Sequence, residues 1–211
     1  MRMSALPFML ELSMLNTVIV GGGQLAYKRA LSIIEAGGHV TVVAPTLHPQ
    51  LHALALAEKL RWEARYVSGD ECFLADLLFL CTDQPLLHQQ LLRNRAPRQL
   101  VYVGDQAQAG HVYVPAKIEK GLLTVSISTA GASPSYTKRI KGQIANILPE
   151  HAAEELAFLQ KARELVLASN GGNGEKRALL QELASAERLQ DERREQWLDD
   201  QLRRIAEDNQ K

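Results

Sequence analysis

Cysteine is scarce in this 211-residue chain: Cys72 and Cys81 are the two, and they form no CxxC pair. That excludes a disulfide framework and points to a reducing compartment, so a cytoplasmic protein is expected. Net charge is absent as well, 24 basic residues balancing 24 acidic ones. No overall basic field exists to hold nucleic acid or an anionic membrane, and neither is expected as a partner. The six histidines are scattered with no HExxH among them, so no metal site of a familiar type is expected. No run approaches the ~20 apolar residues of a membrane helix. The N-terminal MRMSALPFMLELSML briefly imitates a signal peptide, but Pro7 and Glu11 interrupt it and no small-residue cleavage site precedes the next strand. Against these absences stands a hydrophobic fraction of 46%, enough for a soluble chain to bury a real core.

What is present is an alternation. Residues 17–20, TVIV, form a β-branched apolar run that ends at Gly21-Gly22-Gly23. From Gln24 to Ala36 the residues Leu25, Ala26, Ala30, Ile33 and Ile34 recur at helical spacing, and Gly37-Gly38 closes the helix. HVTVVAP (39–45) then reads as a second strand, which completes a βαβ unit. The rhythm continues with a helix at 50–60, a strand at 62–67, a buried strand at 77–82, a helix at 85–95 and a strand at 100–104. This is the pattern of an α/β fold with a Rossmann-like, doubly wound parallel sheet. Near residue 110 it changes: HVYVPAKIEKGLLTVSIST alternates like antiparallel strands turning at Lys120-Gly121. Residues 135–148 look helical, and from His151 onward the chain reads as helix broken once, at Gly171-Gly172-Asn173-Gly174.

Gly21 to Ala26 satisfies G-x-G-x-x-[GA] in a strand–turn–helix setting. Gly21 permits a tight turn, Gly23 lets the backbone approach a pyrophosphate, and Ala26 lets the helix pack closely on the strand. The helix start offers free N–H groups and a positive dipole end to the phosphates. A dinucleotide cofactor is the expectation; a tight turn that binds nothing is the bland alternative. The acidic residue usually found at the end of the second strand is missing, its place taken by Ala44, Pro45 and Thr46. No arginine stands nearby in sequence to receive a 2′-phosphate, which favours NAD over NADP. Asp83 and Asp105 each follow a predicted strand at the carboxyl edge of the sheet, where ligands bind. Either can be a general base, or a turn-capping aspartate. His111, six positions after Asp105, reads more simply as a packing or hydrogen-bonding residue than as a proton carrier.

The segments LPFMLELSMLNTVIVGGGQLAYKRA, TVVAP, LCTD, VGDQAQAGHVYVPA and ISTAGASPSYTKRIK together resemble the precorrin-2 dehydrogenase family, from about residue 6 to residue 150. That family includes the stand-alone dehydrogenases of sirohaem synthesis, the matching part of sirohaem synthase, and the fungal dehydrogenase–chelatase. The resemblance implies NAD-dependent oxidation of precorrin-2 to sirohydrochlorin, with ferrochelatase activity, alone or in addition, as the alternative. A non-catalytic nucleotide sensor is the reading from a different class. The resemblance further implies Asp105 as the catalytic base and Gly21, Gly22, Gly23, Gln24, Leu25, Pro45 and Thr46 as cofactor-binding, to which the strand-end position adds Thr82 and Asp83. Ser128, Thr129, Ser133, Lys138 and Arg139 supply the hydroxyls and cations that a tetrapyrrole polycarboxylate calls for. The implied organisation is a dinucleotide-binding Rossmann domain (1–112), a dimerisation segment (113–150) that makes a homodimer, and a helical C-terminal domain (151–211). Where this chain has Tyr102 the family commonly has asparagine.

Overall fold

The computed structural model describes residues 5–104, 106 and 109–208. They divide into two compact units, Met1–Val114 and Pro115–Lys211.

The first unit runs β1 (Asn16–Val20), α1 (Gln24–Glu35), β2 (His39–Val43), α2 (Pro49–Leu56), β3 (Arg61–Glu63), β4 (Leu77–Leu80), α3 (Pro85–Arg93) and β5 (Leu100–Val103). Its five strands are all parallel, in the order β3-β2-β1-β4-β5. The chain therefore travels outward from β1 in one direction and then restarts on the other side of β1, which puts the topological switch point between β1 and β4. Alternation along the strands feeds two cores. Ile19, Val42, Phe79 and Tyr102 meet Ala26, Ala30 and Ile33 of α1 on one face, while Val20, Leu78, Leu80 and Val101 meet Leu91 of α3 on the other. All four residues of β4 are buried, as a central strand covered on both faces requires.

The strand expected at 62–67 stops at Glu63. Beyond it Arg65 turns back, donating from Nη1 to both carboxylate oxygens of Glu71 (3.0 and 2.9 Å) and from Nε to Glu63 (3.1 Å). This ionic knot folds residues 64–76 into an irregular connection where a crossover helix is usual.

In the second unit β6 (Ala116–Lys120) and β7 (Leu123–Ile127) pair antiparallel about Gly121, whose φ of +57° suits the turn. Five helices follow: α4 (Pro134–Ile147), α5 (Ala152–Ala168), α6 (Asn173–Leu183), α7 (Ala186–Gln190) and α8 (Arg194–Asp208). Phe158, Ala162 and Val166 of α5, Leu179 and Leu183 of α6, and Leu198 and Ile205 of α8 form a core between those three helices. The segment from Glu175 to Asp208, expected as one helix, is broken twice. Ser185 caps α7 by accepting from Arg188 N–H at 3.2 Å, and Asp191 accepts from Arg193 N–H at 2.8 Å. Short polar side chains of this kind compete with the helix for its own backbone groups. Among the described residues no helix is long and apolar enough to cross a membrane.

Candidate functional site

The glycine turn joins β1 to α1 at the carboxyl edge of the sheet, beside the switch point. Its three glycines have three different physical reasons. Gly21 has φ +117°, and a Cβ there would lie 2.7 Å from the Cys81 carbonyl and 3.0 Å from Thr82 N. A Cβ on Gly22 would lie 2.0 Å from the Thr46 carbonyl oxygen. Packing forbids a side chain at both. At Gly23, by contrast, a Cβ meets no heavy atom within 4 Å. Bare backbone there faces open space, where a ligand can approach.

The same atoms gather three loops. The His48 N–H donates to Gly22 O at 2.7 Å, so the β2–α2 loop carrying Pro45 and Thr46 lies against the turn. The end of β4, carrying Thr82 and Asp83, lies against it from the other side. Gly23 is the cap residue of α1 and makes no side-chain bond, and the first turn holds no acidic residue. The first main-chain bond of the helix runs from Tyr27 N–H to Gly23 O at 3.0 Å. The N–H groups before it, with the positive end of the helix dipole, are left to an anion. Uncovered amides, an open position at Gly23 and two flanking strand-end loops fit the diphosphate and ribose of a dinucleotide.

Of the residues named for the cofactor, the structure brings Gly21, Gly22, Gly23, Gln24, Pro45, Thr46, Thr82 and Asp83 to this one edge, with Gln24, Pro45, Thr46 and Asp83 exposed. Leu25 is there too, but its side chain points inward: a Cβ on Gly104 would lie 2.4 Å from Leu25 Cδ2. That side chain is half-buried, packed against the core under α1. Asp105, the residue named for catalysis, lies outside the described residues. His111 is exposed and spends its N–H on Val101 O at 2.7 Å.

Sequence reasoning missed three residues here. Gly104 is one, since its lack of a side chain admits Leu25. His88 on α3 is another, 2% exposed, with Nε2 at 2.8 Å from Thr82 Oγ1. The helical spacing of PLLHQQ puts His88 on the buried face with Leu91, but no local signal names its partner. The third is Arg65. It lies two residues past Glu63, whose carbonyl accepts from Ala44 N–H at 3.1 Å, so its main chain is close to the end of β2. Two carboxylates already hold its guanidinium.

In the second unit the proposed substrate residues cluster around the start of α4. Ser133 caps that helix by accepting from Tyr136 N–H at 3.2 Å. The Thr129 and Thr137 hydroxyls bond each other at 2.9 Å, and Ser128 Oγ accepts from Ala130 N–H at 3.2 Å. These hydroxyls shape the turn itself. Lys138 and Arg139 are exposed, with the Arg139 guanidinium 4.7 Å over the Tyr136 ring. A cavity of about 400 Å³ lies at the amino edge of the parallel sheet, lined in part by Asn16, His39, Lys59 and Arg61. It is remote from the glycine turn, and the cofactor chemistry has no use for it.

Comparison with known proteins agrees with this geometry. Residues 8–116 match the family model described as "Putative NAD(P)-binding". Precorrin-2 dehydrogenase of Bacillus subtilis (strain 168) is 30% identical over 158 residues, covering 75% of this chain and 98% of that protein. Precorrin-2 dehydrogenase of Priestia megaterium is 29% identical over 175 residues, covering 83% and 87%. Among solved structures, SirC, a precorrin-2 dehydrogenase, superposes with a TM-score of 0.84 at 26% identity over 95% of this chain and 100% of that one. A parallel sheet ending in an open glycine cradle, carried by a chain that these relatives match over nearly their whole length, places it: the chain belongs to the precorrin-2 dehydrogenase family.

Proposed function

We propose that this chain oxidises precorrin-2 to sirohydrochlorin with NAD as the electron acceptor. The observation that carries the reading is the open position at Gly23, on a turn where packing explains the neighbouring glycines but not this one. NAD, when bound, accepts a hydride. The chain's own residues do the rest. The amides that open α1 grip the diphosphate, and the loops after β2 and β4 orient the riboses through Thr46, Thr82 and main-chain groups. Asp105 follows Gly104 directly after β5 and is assigned the proton that leaves the macrocycle as the hydride departs. Lys138 and Arg139 are assigned to substrate carboxylates. Arg65 supports NAD over NADP: its charge is already matched by Glu63 and Glu71, so it offers little to a 2′-phosphate.

We also assign a homodimer in the cytoplasm. The two-stranded ribbon packs only part of its surface on its own helices, with Ile118 buried and the other residues of both strands half-buried or exposed. None of the described residues of α4 is fully buried, and Ile147 is 79% and Leu122 59% exposed. A second copy over this surface gives those side chains the cover they lack. Two free thiols suit a reducing compartment.

The deciding experiment is turnover: precorrin-2 and NAD are mixed with the protein and NADH absorbance is followed. NADH formation dependent on both substrates is expected. Binding of NAD with no NADH formed would refute the dehydrogenase.

A further inference from the structure

His88 is a polar ring in an apolar place. It projects from α3 and is 2% exposed, packed on the side of the helix that carries Leu91. A buried imidazole that is not hydrogen-bonded costs free energy, so the partner it takes is informative. Its Nε2 lies 2.8 Å from the hydroxyl of Thr82, the residue just past β4. Thr82 in turn sits against the glycine turn, its N 3.0 Å from where a Gly21 Cβ would be. The histidine thus reaches the dinucleotide mouth from behind, through one hydroxyl.

Counting hydrogen-bonding groups at that hydroxyl shows what the contact does. Thr82 Oγ1 has one proton and two lone pairs. One lone pair accepts the Gln84 N–H at 3.3 Å. If His88 carries its proton on Nε2, it fills the second lone pair, and the threonine proton is left as a single donor. If Nε2 is bare, it takes that proton, and one lone pair is left as a single acceptor. Either tautomer removes the free rotation of the hydroxyl and leaves one hydrogen-bonding function for a ligand.

We propose that His88 is a positioning residue for the cofactor, fixing the Thr82 hydroxyl so that one defined donor or acceptor meets a ribose hydroxyl of the dinucleotide. This rests on the reading of the glycine turn as an NAD site. The pairing is ordered before the ligand arrives, so its effect falls on NAD affinity and leaves the macrocycle's own binding untouched.

The test is a double-mutant cycle read by NAD calorimetry and by KM for each substrate, on full-length protein. Thr82→Val and His88→Phe are each expected to weaken NAD binding by about fivefold, the worth of one neutral hydrogen bond. Together they should weaken it no more than either alone. His88→Gln, whose amide nitrogen can reach the same hydroxyl, should restore affinity to within about twofold of wild type. KM for precorrin-2 should stay constant throughout, which loss of packing alone would not produce. NAD affinity unchanged in folded His88→Phe, or losses that multiply in the double variant, would overturn the proposal. Should His88→Phe fail to fold, Thr82→Val and His88→Gln decide: unchanged affinity in the first, or a full loss in the second, overturns it. Absence of NAD binding by the wild-type protein would bring down the site itself, a result distinct from either.

Discussion

Arg29 donates from Nη2 to the Tyr102 hydroxyl at 2.8 Å and lies 4.8 Å over the same ring. One residue is on the helix that the glycine turn opens, the other on the strand that leads to Asp105. The pair therefore ties the cofactor helix to β5. It also explains the departure at this position, where the family commonly has asparagine. Tyr102 is 7% exposed and packs at 5.1 Å from Phe79, so its side chain belongs to the core under α1. Arg29 Nε is buried without a hydrogen-bond partner among the described residues, which makes the tyrosine hydroxyl the more valuable. Tyr102→Phe keeps the ring and strips the acceptor. It should lower stability by about 1–3 kcal/mol, the worth of a part-buried hydrogen bond to a charged group. Urea unfolding measures this, and an unchanged midpoint would show that the contact contributes nothing.

Gly22 and Gly23 are neighbours with opposite expected responses. Gly23 has φ −84° and ψ −170°, a backbone that any residue adopts, and open space beyond its Cα. Gly23→Val should therefore melt like the wild type while its NAD affinity falls by about tenfold or more, equivalent to at least ~1.4 kcal/mol. In Gly22→Ala the new methyl would sit 2.0 Å from a main-chain oxygen, so stability itself should fall. Melting curves and NAD titrations on the two variants separate these outcomes. A Gly23→Val protein that binds NAD normally would remove the diphosphate from this turn.

Most of this was legible in the sequence for one reason: a parallel strand buried on both faces and an amphipathic helix each write a strong local period. The runs TVIV and LLFLCT and the turn GGGQLA place β1, β4 and α1 to within two residues at each end. The short third strand was harder, because its end is set by Arg65 closing on Glu71, a contact between side chains six positions apart. The breaks in the C-terminal helices depend on whether Ser185 and Asp191 cap or stay solvated, and propensity alone does not decide that. At the site, glycines announce themselves, but a buried histidine does not. His88 sits at an ordinary core spacing, and its pairing with Thr82 exists only once α3 has docked on the sheet.

The two thiols should behave as opposites. Cys72 is exposed and Cys81 buried, so a disulfide-exchange reagent should modify one thiol per native chain and both in urea. Burial pushes the Cys81 thiol up to about 12 from an ordinary 9.0, with the nearby Arg29 charge pulling weakly the other way. The folded state therefore holds a proton that the unfolded chain releases earlier. The contribution is fully present below pH 9 and is lost as pH rises toward 12. Urea midpoints should fall between pH 9 and 11, and fall less steeply in Cys81→Ala. Equal slopes would mean that this thiol takes no part in alkaline unfolding.

The surface of the second unit carries the prediction about assembly. Its helix α4 has an apolar stripe and a good N-cap in Ser133, so the helix is built to form, yet Ile140 and Ile144 of that stripe are only half-buried and none of its described residues is fully buried. Tyr136 is 49% and Ile147 79% exposed at its two ends, and Leu122 is exposed at the tip of the ribbon. Such side chains cost nothing singly, but a helix whose apolar stripe is only half covered gains stability from further packing. A second copy of the chain supplies that packing if the two surfaces are related by a twofold axis, since each patch then covers its twin. Ile147→Glu puts a charge where an interface core would be dry. It should shift sedimentation from dimer toward monomer, and a Leu122→Glu, Ile147→Glu pair should complete the shift. Because neither residue is buried within its own unit, the folded far-ultraviolet circular dichroism spectrum should persist in the monomer. A wild-type protein that sediments as a monomer at micromolar concentration would end the assignment. A dimer that survives both charges would move its interface elsewhere.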